Sequence, residues 1–210
     1  MIRLILASAS PARLKTLRNA GVEPEIIVSG VDEDAVLAEA GLLAPAAVAL
    51  RLACAKAEAV AAEIAGERMG SARNRRLVLG CDSVLELDGH AHGRPADATE
   101  AVKRWQSMRG QSGILHTGHW LIDMPNGQSP RAVGATGSTS VRFADLSDDE
   151  IGAYVATGEP LHVAGAFTID GLGGPFVERI EGDHHNVVGL SLPLLRDMLA
   201  ELDIPWHTLT

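Results

Sequence analysis

The stretch from residue 45 to residue 65 constrains the fold of this chain more than any other. It opens with Pro45, closes before Gly66 and carries only four charged residues: Arg51, Lys56, Glu58 and Glu63. Proline suits the first position of a helix and glycine the position just past its end, so the stretch reads as one long helix. At about 100° per residue, Arg51 and Glu58 share one side, which is the solvent face. Lys56 and Glu63 point about 120–140° away, into otherwise apolar surroundings. A lysine there either snorkels at the helix edge or is aimed into a cleft. Aromatics are only 3% of the chain, against 46% hydrophobic residues. The core must therefore be aliphatic and alanine-rich, which fits helices packed on a sheet better than a β-sandwich.

The rest of the chain alternates in the same sense. Residues 2–7 read as a short buried strand, followed by a helix with Ser10 as N-cap, Pro11 as first residue and Gly21 as its end. Residues 25–29 read as a second short strand, leading into an acidic turn at 31–34. Residues 66–76 read as a polar, basic, mobile loop, residues 77–87 as a central strand interrupted by Asp82, and residues 89–95 as a turn. A helix is expected at 99–108, a strand at 114–123, a loop at 125–134 and a strand at 138–143. Ser147-Asp-Asp-Glu150 is a capping box for a helix running to about residue 156. The glycine-rich stretch after Gly158 reads as loop and short strand, and residues 193–202 as an amphipathic closing helix. No repeat and no long linker interrupts this order, so we expect one α/β domain over residues 1–210.

A net charge of −9 and a pI of about 5.3, with scattered lysines and arginines, speak against a nucleic-acid-binding surface. A small phosphorylated ligand stays open, because a few placed cations outweigh the global charge at short range. Cys54 and Cys81 have neither zinc spacing nor a disulfide framework, and read as buried free thiols of a reducing compartment. Residues 4–7 are too short an apolar stretch for a signal peptide. No run reaches the ~18 apolar residues of a membrane span, so a cytoplasmic location without membrane contact is expected.

Four features can carry chemistry. Ser8-Ala-Ser10-Pro-Ala-Arg13 is a strand-to-helix junction that either holds a phosphate or is a plain N-cap beside a surface arginine. Asp82 in a buried strand needs a partner or a cleft, and is a metal ligand, a general base or a structural aspartate. Asp32-Glu33-Asp34 suits Mg²⁺ or Mn²⁺, or is a solvated loop. Lys56 and Arg94 either balance phosphate charge or are surface cations. His116, His184 and His185 are not read as metal ligands, because adjacent histidines in an extended segment point apart and no third ligand is suitably spaced.

The order of these features is more specific than any one of them. Leu6-Ala-Ser-Ala-Ser-Pro-Ala-Arg13, Val31-Asp-Glu33, Lys56-Ala57 and Gly80-Cys-Asp-Ser83 are followed by Gly93-Arg-Pro95 and His116-Thr-Gly118. Tyr154, Gly158-Glu159, Ala164-Gly165 and Gly182-Asp-His-His-Asn-Val-Val-Gly-Leu190 come after them. With these blocks the chain resembles the Maf family of nucleoside triphosphate pyrophosphatases along nearly its whole length. The resemblance implies a mixed, elongated sheet with flanking helices, and two lobes around a central nucleotide-binding cleft, as in inosine triphosphatases. It implies hydrolysis of a nucleoside triphosphate, standard or modified, to monophosphate and pyrophosphate. Ser8, Ser10, Arg13, Lys56 and Arg94 would surround the phosphates, with Arg94 where the family usually has lysine. Glu33 and Asp82 would hold Mg²⁺ or Mn²⁺, and Asp82 would also accept the proton of the attacking water.

This sequence departs from the family pattern at Ala12, where a large residue is common, at Ser83, where threonine is common, and at Asp170, where glutamine or glutamate is usual. Val163 stands where lysine is usual. Positions 12, 83 and 170 are those at which members differ by preferred base, and here they match neither the uridine/thymidine-type nor the 7-methylguanosine-type pattern. The resemblance also implies a homodimer. The alternative function is a non-catalytic nucleotide sensor that regulates cell division or septum formation. A phosphatase releasing orthophosphate is a third. The basic loop is expected to be a solvated insertion rather than a partner site.

Overall fold

The computed structural model describes residues 2–65 and 75–209. The expected basic loop therefore lies outside the described residues, except for Arg75 and Arg76, which open a strand. The first half of the chain holds β1 (Ile2–Leu6), α1 (Pro11–Asn19), β2 (Glu25–Ile26), α2 (Glu33–Ala40), α3 (Pro45–Ala65), β3 (Arg75–Leu87) and β4 (His90–His92). The second half holds α4 (Ala98–Met108), β5 (Ser112–Met124), β6 (Arg131–Phe143), α5 (Asp148–Ala156), β7 (Val177–Glu181), α6 (His184–Val188) and α7 (Leu192–Glu201). Short 3-10 turns fill the stretch between α5 and β7.

The strands form one mixed sheet in the order β2-β1-β3-β5-β6-β7, with β4 pairing to β3. β2, β1 and β3 run parallel, whereas β3, β5 and β6 are antiparallel neighbours. The last three are 13 residues each, or roughly 40 Å, long enough to carry a lobe at either end. At one end α1 and α7 close a core of Leu6, Leu17, Leu79, Leu121, Leu195 and Leu199. At the other, α4 and α5 cover Leu85, Trp105, Phe143, Tyr154 and Phe167. On the opposite face, α3 packs against Ile5, Val78 and Ile122.

One edge of β3 explains why a cleft exists between the lobes. β1 pairs with residues 75–79 of β3 and β4 pairs with residues 85–87, both on the side away from β5. Among the described residues no strand lies beside residues 80–84 on that side, so the sheet is notched there. An opening beyond the carboxyl end of a parallel strand is the usual ligand position in α/β sheets.

Helix α3 lies close to this notch because glycines let it approach. A Cβ on Gly80 would stand 2.1 Å from the Ala53 carbonyl oxygen, and one on Gly118 would stand 2.3 Å from that of Ala49. Ala49, Ala53 and Ala57 thus ride on bare backbone, which is why this long helix is rich in alanine. Glycine inside a strand weakens it by roughly 0.5–1 kcal/mol, and the close helix–sheet packing offsets that.

Several expectations need correction. Asp32 is not part of a free turn: its carboxylate accepts from Ala35 N at 3.0 Å and caps α2. β2 ends at Ile26 rather than residue 29, and the expected turn after Gly89 contains β4. β6 begins at Arg131, seven residues before the expected 138, because β5 supplies a partner for each residue from Arg131 onward. His184 and His185 are helical, in α6, not extended. Glu63 is exposed, while Lys56 is partly buried, so the two do not share an environment. Cys81 is buried and its thiol is pushed up to about 12 by burial. Cys54 is only half-buried.

Candidate active site

All ten residues singled out from the sequence line one cleft of about 1150 Å³: Ser8, Ser10, Ala12, Arg13, Glu33, Lys56, Asp82, Ser83, Arg94 and Asp170. Asp82 sits in the unpaired part of β3, on the face that Gly80 presents to α3, since successive strand residues alternate faces. Lys56, one residue before the Ala57 that touches Gly80, is thereby delivered above it. Its ammonium lies 2.5 Å from Asp82 Oδ1 and 2.8 Å from Glu33 Oε1. Glu33 is the first residue of α2, free for this contact because Asp32 takes the cap. Arg94 reaches Glu33 from the rim, at 3.6 Å, with its side chain largely exposed.

Asp82 is 8% exposed. Burial pushes its carboxyl above the usual carboxylate range, while Lys56 and Arg13 pull the other way and Glu33 adds to the rise. The two carboxylates converge on a single point, and their hard oxygens are the donors that Mg²⁺ or Mn²⁺ takes. Among the described residues no group of three or more His, Cys, Asp or Glu could hold a metal. The pair therefore fits the mode in which one or two carboxylates bind the ion together with substrate phosphates.

The strand-to-helix junction is more constrained than a surface N-cap. Ser10 caps α1, its hydroxyl accepting from Arg13 N at 3.4 Å, and Ser8 Oγ accepts from Ser10 N at 3.2 Å. The Arg13 side chain turns inward. It donates to Gly189 O and Cys81 O at 2.7 Å each, to Ser8 Oγ at 3.0 Å and to Ser83 Oγ at 3.1 Å. Arg13 thus fills the notch in β3 by taking the Cys81 carbonyl that lacks a strand partner, and keeps one of its five N–H groups free for a ligand.

Ser83 is committed in the same way. It accepts from Arg13 and donates to Thr117 Oγ1 at 2.9 Å, and Thr117 in turn donates to Asn186 O at 2.9 Å. Asn186 is buried and donates to Leu115 O and Thr139 Oγ1 at 3.1 Å each. The block from Gly182 to Leu190 therefore supports Arg13 from behind. Asn186 stands in this motif with no local partner to explain it, and its contacts with Leu115 and Thr139 form only across the sheet.

The far wall of the cleft is a loop held by Glu159. Its carboxylate accepts from Tyr154 Oη at 2.8 Å, Thr168 Oγ1 at 2.6 Å, Leu172 N at 2.9 Å and Gly173 N at 3.0 Å. Burial alone would raise its pKa, but these donors together hold it below the usual range. Asp170 stands exposed on this loop. From α4, Trp105 Nε1 donates to Ala166 O at 2.8 Å, and Arg104 binds the carbonyl of Gly93, which also accepts from Gly165 N at 3.1 Å. One carbonyl thus ties the loop to the segment that carries Arg94. His116 lies between Glu86 and Ser138 at 2.8 Å each, and is not among the residues that line the cleft.

Known proteins place this chain in a family. A relative from Salinispora tropica named nucleoside triphosphate pyrophosphatase is 58% identical over 97% of this chain and 85% of its own. One of the same name from Streptomyces coelicolor is 60% identical over 95% of this chain and 90% of its own. A solved HAM1 protein from Coxiella burnetii is 18% identical and covers 70% of this chain and 75% of its own, at a TM-score of 0.39, too low to argue from. The family described as Maf-like protein matches residues 3–202, and this chain belongs to it.

Proposed function

We propose that this chain hydrolyses a nucleoside triphosphate in the cytoplasm, releasing the monophosphate and pyrophosphate. The observation that carries the reading is Asp82, buried in the notch of β3, facing a cleft and sharing one ammonium with Glu33. Its raised pKa makes it a better proton acceptor than an exposed aspartate. The cations at the cleft, Lys56, Arg94 and the remaining N–H of Arg13, match the charge of a triphosphate, with Ser8 and Ser10 at the start of α1 beside them.

In the step we favour, Asp82 takes a proton from a water that attacks the α-phosphorus. An O–P bond forms there as the bond to the bridging oxygen of the β-phosphate breaks, and pyrophosphate leaves with that oxygen. Lys56 and Arg94 hold the leaving phosphates in line. A divalent cation held by Glu33 and Asp82 would offset charge on the phosphate oxygens when bound. Asp170 and Ala12 border the part of the cleft left for the base, whereas Ser83 has its hydroxyl proton engaged with Thr117.

A non-catalytic sensor of nucleotides is the less favoured reading, given the names of the relatives. Incubating the protein with a panel of triphosphates and Mn²⁺, and assaying pyrophosphate and orthophosphate, separates the readings. Pyrophosphate release from at least one nucleotide is expected. Binding without turnover of any of them would replace the enzyme with a sensor, and orthophosphate alone would replace it with a phosphatase.

A further inference from the structure

Lys56 occupies the point on which Glu33 and Asp82 converge. Its ammonium is 2.8 Å from one carboxylate and 2.5 Å from the other. Its side chain is 13% exposed, Asp82's is 12% and Glu33's 34%, so solvent screens the Asp82 contact weakly. Among the described residues no second cation replaces it: Arg94 touches only Glu33, at 3.6 Å, and Arg13 is engaged with Gly189, Cys81, Ser8 and Ser83. The backbone of Lys56 is anchored, because α3 is pressed onto Gly80 and Gly118. Lysine carries its point charge on a flexible four-carbon stem and can re-aim without a fork geometry to satisfy.

We infer that Lys56 is an internal placeholder cation, competing with the divalent metal for both carboxylates until a triphosphate draws it away. The inference rests on the reading of the cleft given above and extends it to the order of events. A triphosphate offers the ammonium several oxygen acceptors at once. When Lys56 turns to them, Glu33 and Asp82 lose their shared counter-charge, so the metal enters with the nucleotide rather than before it. Asp82 is by the same movement freed as a proton acceptor only when there is a substrate to attack. Without nucleotide, the ammonium keeps its place between the two carboxylates and the site takes up metal poorly.

The test is metal binding, read by loss of the free Mn²⁺ electron paramagnetic resonance signal, without turnover. Wild-type protein is expected to bind Mn²⁺ at least about fivefold more tightly with a non-hydrolysable triphosphate analogue than without it, after subtraction of the Mn²⁺ that the analogue binds in a protein-free control, because the analogue withdraws the ammonium. K56Q and K56A, each checked for folding by circular dichroism, are expected to bind Mn²⁺ alone at least about fivefold more tightly than wild type. Adding D82N to K56Q is expected to remove the gain, which ties it to this carboxylate. A smaller gain in every folded variant, or equal wild-type affinity with and without the analogue, overturns the inference. Pyrophosphate release by the wild type is scored separately. Turnover without a gain in K56Q sinks the placeholder and keeps the reaction, and a gain without turnover does the reverse.

Discussion

Two buried aspartates stand in the same pair of strands and lead opposite lives. Asp123, at the end of β5, is 0% exposed and is gripped by Arg75 with Nε and Nη2 at 2.6 Å each. Arg131 adds a contact at 3.3 Å, and both arginines also reach Leu202 O at the end of α7. Asp82, in the middle of β3, shares a single ammonium with Glu33 and faces the cleft. A planar guanidinium fork locks a carboxylate in place; a lysine leaves it available. Burial is the same in kind, and the partner decides how firmly the carboxylate is held. His119, opposite Cys81 in the same ladder, is a third buried ionisable group, satisfied in its neutral form. It accepts from Ser191 N at 2.8 Å through Nε2 and donates to Thr117 O at 3.0 Å through Nδ1.

The contrast is broken most directly by neutralising each group. Asp82→Asn is expected to lower pyrophosphate release by about 10²–10⁴-fold, the usual contribution of a positioned acid or base. Its stability is expected to hold or rise. Because burial raises the pKa of Asp82 in the fold, the ionised carboxylate lowers stability at neutral pH, and an amide removes that cost. A variant keeping more than about a tenth of the activity would exclude Asp82 as the base.

Asp123→Asn should do the reverse. Losing a buried partner of two arginines is expected to cost about 3 kcal/mol, the low end for broken buried pairs because both arginines reach solvent. That is a fall in melting temperature of about 6–12 °C for a chain of this size, with activity per folded molecule retained. An unchanged melting temperature, or a lost activity in the folded fraction, would merge the two aspartates into one class.

His119 sharpens the comparison through pH. Burial holds its pKa down at about 4, from an ordinary 6.5. Above pH 6.5 it is neutral in both folded and unfolded states and its contribution is complete. As pH falls from 6.5 to 4 the unfolded chain takes up a proton that the fold does not, so stability drops by up to roughly 3 kcal/mol. Urea unfolding between pH 7 and 4 should show this slope in the wild type and a flatter one in His119→Gln. Equal slopes would take His119 out of the acid response.

The fold was legible wherever short-range rules govern. Ser10 and Pro11 start α1, Pro45 starts α3 and the box Ser147 to Glu150 starts α5, each as read from caps and periodicity. α2 was missed although Asp32 signals its start, because no residue of this helix is buried and no apolar stripe marks it. The first half of β6 was missed because residues 131–137 do not alternate. Gly134 is there since a Cβ would stand 2.2 Å from the Trp120 ring, a constraint set by the neighbouring strand. For the site, residue identities were readable from ordered motifs, but their working partners were not. Nothing local says that Arg13 turns inward, that Ser83 donates to Thr117, or that Glu159 holds the loop bearing Asp170.

By itself the sequence determined the alternating α/β order and the long alanine-rich helix, because capping, periodicity and residue chemistry act within a few positions, and its ordered motifs named a set of residues that line one cleft. Tertiary structure alone decided which aspartate is held by a guanidinium fork and which shares a lysine at the cleft. Lys56 meets Asp82 across 26 positions and Arg13 meets Gly189 across 176. Such contacts exist only once α3 has settled on Gly80 and the strands have left β3 notched, so their energies belong to the assembled fold and to no segment of it.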